Sequence, residues 1–248
     1  MYLTGFADEV SQDLDKQIAV TKELGWNAIE ARSVWGANIH DIGEMNFERI
    51  CQTLNDSRIQ INCFGSTIAN WSKHINNPFD DTLAEVERAI PRMQALNTKL
   101  IRIMSYARCP GKEQHKEERF KRLREICSRF IDAGITPVHE NCMNYGGMSI
   151  THALQMQEAI PDMKWVFDSG NPVFNPDRSK PRPYPRQDAW AFYQALKPHI
   201  AHIHIKDGHW DTQTAQCTFT MPGEGQGQVE RILADLSDSD YCGFISIE

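Results

Sequence analysis

Four residues of the 248-residue chain close short apolar runs and carry side chains that bind divalent cations. They are Glu140 in "ITPVHEN", Asp168 in "KWVFDSG", His204 in "IAHIHIKD" and Glu248 in "GFISIE". Carboxylate oxygen and imidazole nitrogen both ligate such ions. Gathered in one pocket, three acids and an imidazole would be costly without a cation to neutralise them. Strand alternation sharpens the choice: with Glu140 turned inward, Val138 shares its face and His139 faces away. By the same period His202, His204 and Lys206 share a face, with His202 deeper. Each residue alone has a plainer reading as a helix cap, loop anchor or core histidine. Their common placement carries the inference.

Such side chains converge only if the runs that carry them are parallel strands of one barrel. Eight apolar runs recur, at 2–7, 27–32, 59–65, 99–105, 135–141, 164–170, 200–207 and 243–248. Each has the usual length of a strand. Between them lie helical patterns at 13–24, 46–57, 80–96, 113–133, 150–160, 187–197 and 228–236, with Gly25 and Gly134 as stop signals. Pro91 is expected to kink or break the third helix. Strand and helix alternating at this spacing predict an α/β chain folded as one (β/α)8 TIM barrel over residues 1–248. The Gly-rich first turn of an open doubly wound sheet is missing from "GFADEV". No eighth helical pattern follows Glu248, so the barrel closes without that helix or the chain continues beyond this residue.

A net charge of −7 lacks the basic footprint of a general nucleic-acid binder. The seven cysteines are odd in number, scattered and never in a CxxC pair, which excludes a zinc ribbon or thioredoxin-type motif. Reduced thiols in the cytoplasm are expected. "MYLTGFADEV" has no basic region followed by an apolar stretch, so no signal peptide is expected. No apolar run approaches the roughly 20 residues needed to span a bilayer.

In their order and spacing, Glu140, "FDSGN" around Asp168, "HIHIKD" around His204 and the final "ISIE" resemble the sugar phosphate isomerase/epimerase family of xylose-isomerase-like barrels. The resemblance runs over essentially the whole chain, including "GWNAIEAR" (25–32) and "GEG" (223–225). It implies an enzyme of carbohydrate metabolism acting on a sugar or sugar phosphate. One divalent ion (manganese, magnesium, cobalt or zinc) would be held by Glu140, Asp168, His204 and Glu248. It also implies that Glu140 and Glu248 are the acid/base pair. A cation on the carbonyl and hydroxyl oxygens would stabilise an enediolate while one glutamate removes a proton and the other returns it. Two positions depart from the ketose epimerases: Asn171 replaces a histidine and Trp210 an arginine, both of which grip substrate there.

Asn171, Lys206, Arg32, Trp71 and His74 are the candidate substrate-binding residues. Lys206 is expected either on a substrate oxygen or in an ion pair with a barrel acid. Arg32 is expected on a substrate anion or in a structural salt bridge, and Trp71 and His74 as pocket wall. The segment "NPVFNPDRSKPRPYPR" (171–186) holds five prolines and four basic residues. On the mouth side it could cap a phosphorylated substrate, lie solvated or serve a homodimer contact. No P-loop is present, and "GEGQG" reads as the turn into the last helix. The same proton removal begins a dehydratase reaction, which is the alternative function. An apurinic endonuclease would need more histidines, where Asn171 and Thr220 stand. A non-catalytic binding barrel is the remaining option.

Overall fold

Each apolar run forms a parallel strand, and helices fill the intervals. In the computed structural model, which describes residues 1–248, the barrel strands are β1 (Tyr2–Gly5), β2 (Ala28–Ala31), β3 (Gln60–Gly65), β4 (Leu100–Ile103), β5 (Thr136–Glu140), β6 (Lys164–Asp168), β7 (Ile200–Ile205) and β8 (Phe244–Ile247). Hydrogen bonding runs in the order β1-β8-β7-β6-β5-β4-β3-β2. At the seam between β1 and β2 a side chain takes over: the Thr4 hydroxyl donates to the Ala28 carbonyl at 3.0 Å. The chain is a (β/α)8 TIM barrel.

The principal helices are α1 (Leu14–Glu23), α2 (Glu44–Ser57), α3 (Phe79–Ala95), α4 (Lys116–Asp132), α5 (Ile150–Ala159), α6 (Ala189–Leu196) and α7 (Val229–Ser237). Asp13, Ser149 and Asp188 cap α1, α5 and α6 by accepting backbone N–H bonds. Gly25 and Gly134, each at φ +73°, follow α1 and α4 in the left-handed region open to glycine. Contrary to expectation, α3 runs unbroken through Pro91. Pro91 and Glu87 both lie on the exposed side, so the carbonyl that loses its partner is open to water. Leu3 and Ile247 are exposed on the outer faces of β1 and β8.

Two hairpins interrupt the alternation on the mouth side without a sequence signal. Ser33–Val34 pairs with Ala37–Asn38, and Asp207–Asp211 with Gln216–Thr220. Most of the second hairpin is exposed, so it carries no buried period to read.

The main apolar core lies between the barrel and its helices. Inside the barrel Cys63, Val138 and Val166 form a small apolar plug. Above that plug the interior turns polar, with Glu30, Arg102, Glu140, Asp168, His202 and His204 all buried. No helix is long and apolar enough to cross a membrane.

Candidate active site

Strand register decides which side chains meet. Asp168 pairs with His204, and His204 with Ser246 of β8. Glu140 pairs with Val166, two residues below Asp168 on the same face. Glu248 stands two residues past Ser246, just beyond β8. Its N–H donates to the Ile205 carbonyl at 3.1 Å, so the last residue stays tied to β7. One ligand atom each from Glu140, Asp168, His204 and Glu248 lies within 4.8 Å of the others.

Other side chains fix these groups. Glu140 accepts from Arg102 Nη1 at 2.9 Å and from Asn171 Nδ2 at 2.9 Å. Asp168 Oδ1 accepts the Asn171 N–H at 2.7 Å. Asn141 holds the Asp168 backbone from both sides, donating to its carbonyl and accepting its N–H. Lys206 Nζ pairs with Asp168 Oδ2 at 3.1 Å and Glu248 Oε1 at 2.9 Å. The contact to Asp168 is an ion pair without hydrogen-bond alignment, and Oδ2 is otherwise buried and unpartnered. His204 places Nδ1 2.9 Å from Glu248 Oε2 and Nε2 3.0 Å from Glu30 Oε2. With a carboxylate on each side both ring nitrogens donate; loss of the Nδ1 proton to a cation would leave Nε2–H on Glu30, the way a carboxylate orients a ligating histidine. His202 Nε2 reaches the same Glu30 at 2.7 Å.

Electrostatics follow from this packing. Burial pushes Asp168 up to about 7, with the Glu248 and Glu140 charges adding to it against the pull of Lys206. For His204 burial acts downwards, but Glu30 and Glu248 outweigh it and push the imidazole up to about 10. Burial would raise Glu248, yet Lys206 and His204 hold it well below the usual carboxylate range. Burial opposes the charge on Arg102 too, and Glu140, Glu248 and Glu30 reverse that.

The donor set fits one divalent cation. It offers carboxylate oxygens, one oriented imidazole nitrogen and, in Asp168 Oδ2, a buried oxygen without a hydrogen bond. With His204 neutral as a ligand, Glu30, Glu140, Asp168 and Glu248 bring twice the charge that Arg102 and Lys206 return, a surplus one divalent ion matches.

A cleft of about 410 Å³ opens above the cluster, lined by Glu140, Asn171, Lys206, Glu248, Arg32 and Trp71 among others. Arg32 borders it, but its guanidinium is engaged by Asp8 at 2.9 Å and Glu9 at 3.1 Å. The salt-bridge expectation for Arg32 therefore describes its geometry better than a free anion ligand. Lys206 likewise takes its ion-pair alternative. Trp71 stands exposed at the rim. His74, expected beside it, is not in the cleft wall; its Nδ1 accepts the Asn76 N–H at 3.2 Å within a local turn.

Residues that sequence reasoning did not assign to the site are Arg102, Glu30 and Asn141. Arg102 was the most findable, a lone cation inside "LIRIM". Glu30 was visible at the end of β2, but its partners stand far away in the chain, on β7. "GEGQG" does more than turn: the Asp207 carboxylate accepts backbone N–H bonds from Gly208, Gly223, Gly225 and Gly227 at 2.8–3.0 Å.

Carboxylates and an imidazole at the C-terminal mouth of a (β/α)8 barrel mark the place where catalytic groups of this fold gather. The family described as Xylose isomerase-like TIM barrel matches residues 18–248, and the chain belongs to it. No curated protein matches it by sequence. Among solved structures it is similar to the probable 3-DHS dehydratase AsbF of Bacillus anthracis, at 17% identity and TM-score 0.75, covering 100% of this chain and 92% of that one. A xylose isomerase-like TIM barrel protein from Mycobacterium smegmatis in complex with magnesium gives 17% identity and TM-score 0.72, with 94% and 80% covered. A D-psicose 3-epimerase determined in the presence of D-fructose gives 15% and 0.70, with 100% and 84% covered. At these identities the likeness is one of fold.

Proposed function

We propose that the chain is a divalent-cation-dependent isomerase or epimerase of a sugar or sugar phosphate, working by proton transfer beside a carbonyl. The supporting observation is the convergence of Glu140, Asp168, His204 and Glu248 within 4.8 Å, with Asp168 Oδ2 buried and lacking a hydrogen bond. Those residues would hold the ion. When bound, manganese, magnesium, cobalt or zinc supplies positive charge next to substrate oxygens and makes the adjacent C–H more acidic.

Glu248 and Glu140 are the acid/base pair in this reading. Lys206 and His204 keep Glu248 ionised, which suits it to remove a proton. Arg102 and Asn171 fix Glu140 through both oxygens, so its position is set before substrate enters. Return of the proton to the opposite face gives an epimer; return to the neighbouring carbon gives an isomer. Trp71 and the open part of the cleft are left to bind the rest of the substrate, while Lys206 is engaged by Asp168 and Glu248 and Asn171 acts chiefly by positioning Glu140. The cysteines, all free, agree with a cytoplasmic setting.

A dehydratase is the second reading, favoured by the fold shared with AsbF over the whole chain. It begins with the same proton removal and ends with loss of a β-hydroxyl. An apurinic endonuclease has less support, because Asn171 is committed to Glu140 and Thr220 belongs to a hairpin. Incubation of the protein with divalent ions and ketoses in heavy water, followed by NMR, separates the outcomes. Deuterated ketose or its epimer supports the first reading, and a dehydrated product the second. An inert protein with every ion tested overturns both.

A further inference from the structure

Three cations line the cleft above the cluster, and each is already paired within the chain. Arg102 meets Glu140, and Lys206 meets Asp168 and Glu248. Arg32 faces two carboxylates at once, Asp8 through Nε and Glu9 through Nη2. One divalent ion balances the cluster itself. The Arg32 group, one cation against two acids, then leaves the opening negative. The proline-rich segment does not reverse that sign. Arg178, Lys180 and Arg182 line a separate depression, and Arg186 lies over the Trp210 ring. A phosphoryl or carboxylate group entering the cleft would meet like charge and find no unpaired cation.

Apart from Glu140 and Glu248, the rest of the lining is uncharged. Ser33 and Asn38 come from the first mouth hairpin, Thr67 and Asn70 from the loop after β3. Asn70 Oδ1 accepts the Ser72 N–H and hydroxyl at 3.1 and 2.6 Å, which leaves its NH2 group open. The Ser33 hydroxyl is open as well. Trp71 and Met143 add large apolar surfaces that stay about half exposed, at 52% and 50%. Neutral donors and acceptors beside apolar faces suit a sugar, whose hydroxyls are polar and whose C–H faces are not.

We propose that the substrate is an uncharged sugar, without phosphoryl or carboxylate groups, whose hydroxyls meet Ser33 and Asn70 and whose apolar faces lie on Trp71 and Met143. That it undergoes proton transfer rests on the isomerase reading; the exclusion of anions does not. The test is calorimetric titration of the intact chain, in magnesium and in manganese buffers, with two matched pairs. These are D-fructose with D-fructose 6-phosphate, and D-xylulose with D-xylulose 5-phosphate. In at least one pair the uncharged sugar should bind about tenfold or more tightly than its phosphate. Added salt should narrow that gap by screening the repulsion. Trp71→Ala should weaken sugar binding about threefold to tenfold. Glu9→Gln frees one side of Arg32, so it should tighten phosphate binding about twofold to fivefold and leave the parent sugar unchanged. A merely structural role of Glu9 would not split the two ligands. Phosphates bound as tightly as their sugars, or no binding in either pair, overturns the proposal. Unaltered binding in Trp71→Ala or Glu9→Gln contradicts it too. Titration needs no turnover, so a chain that prefers uncharged sugars but exchanges no proton refutes the isomerase reading alone. Proton exchange in the phosphates only refutes the present inference and leaves that reading standing.

Discussion

Glu248 shows how a single residue just past a strand is held in the barrel mouth. One backbone bond to Ile205 and side-chain contacts to His204 and Lys206 fix it. Glu248→Gln keeps the shape but removes the base, so proton exchange should fall by about a thousandfold or more with the fold retained. Kinetics paired with circular dichroism check this. Arg102→Met should act otherwise, leaving Glu140 buried beside one neutral amide. A loss of about 3–5 kcal/mol in urea unfolding is expected, as for other buried pairs cut on one side; a loss under about 1 kcal/mol would show that Arg102 does not hold Glu140. The strand-end residues were legible because parity and position suffice to place them. Arg102 and Glu30 were less so: whether an inward charge finds a partner depends on register between strands distant in sequence. His74 misled for the opposite reason, since proximity in sequence to a pocket loop says nothing of direction.

At the scale of elements, all eight strands could be read because parallel barrel strands are continuous apolar runs. The hairpin after β7 could not, being largely exposed. It and the "GEGQG" turn are tied together through Asp207. A Cβ at Gly225 would stand 2.2 Å from Asp207 Oδ1 and 2.5 Å from the Gly208 nitrogen. Gly225→Ala should therefore cost about 1–3 kcal/mol by overpacking, read as a lower thermal midpoint. On β5, His139 faces the helices with Nε2 on Ser105, and burial alone pushes it down to about 3. Because its folded value lies below the unfolded one, its contribution is present above pH about 6.5 and is lost as pH falls towards 3. Between pH 6 and 4, wild-type stability should fall more steeply than that of His139→Gln, by up to about 1.4 kcal/mol per pH unit. Parallel slopes would contradict this placement.

Across the whole molecule, an apolar plug closes the barrel floor and acids crowd its mouth, so charge balance is settled at one place. Without a cation, protons contribute to that balance, with His204 pushed up to about 10 and Asp168 to about 7. Binding a divalent ion should therefore raise the melting temperature and release protons. Its affinity should rise from pH 6 to pH 8, as protons stop competing for Asp168. Titration in two buffers of different ionisation enthalpy measures the protons released. The central claim, cation-dependent proton transfer at the mouth, is tested most directly by hydrogen exchange at the carbon beside a ketose or ketose-phosphate carbonyl, followed by NMR in heavy water. Exchange should stop on chelation and return with manganese, magnesium, cobalt or zinc. Exchange that continues undiminished in the chelated protein, or that no ion restores, would contradict the account.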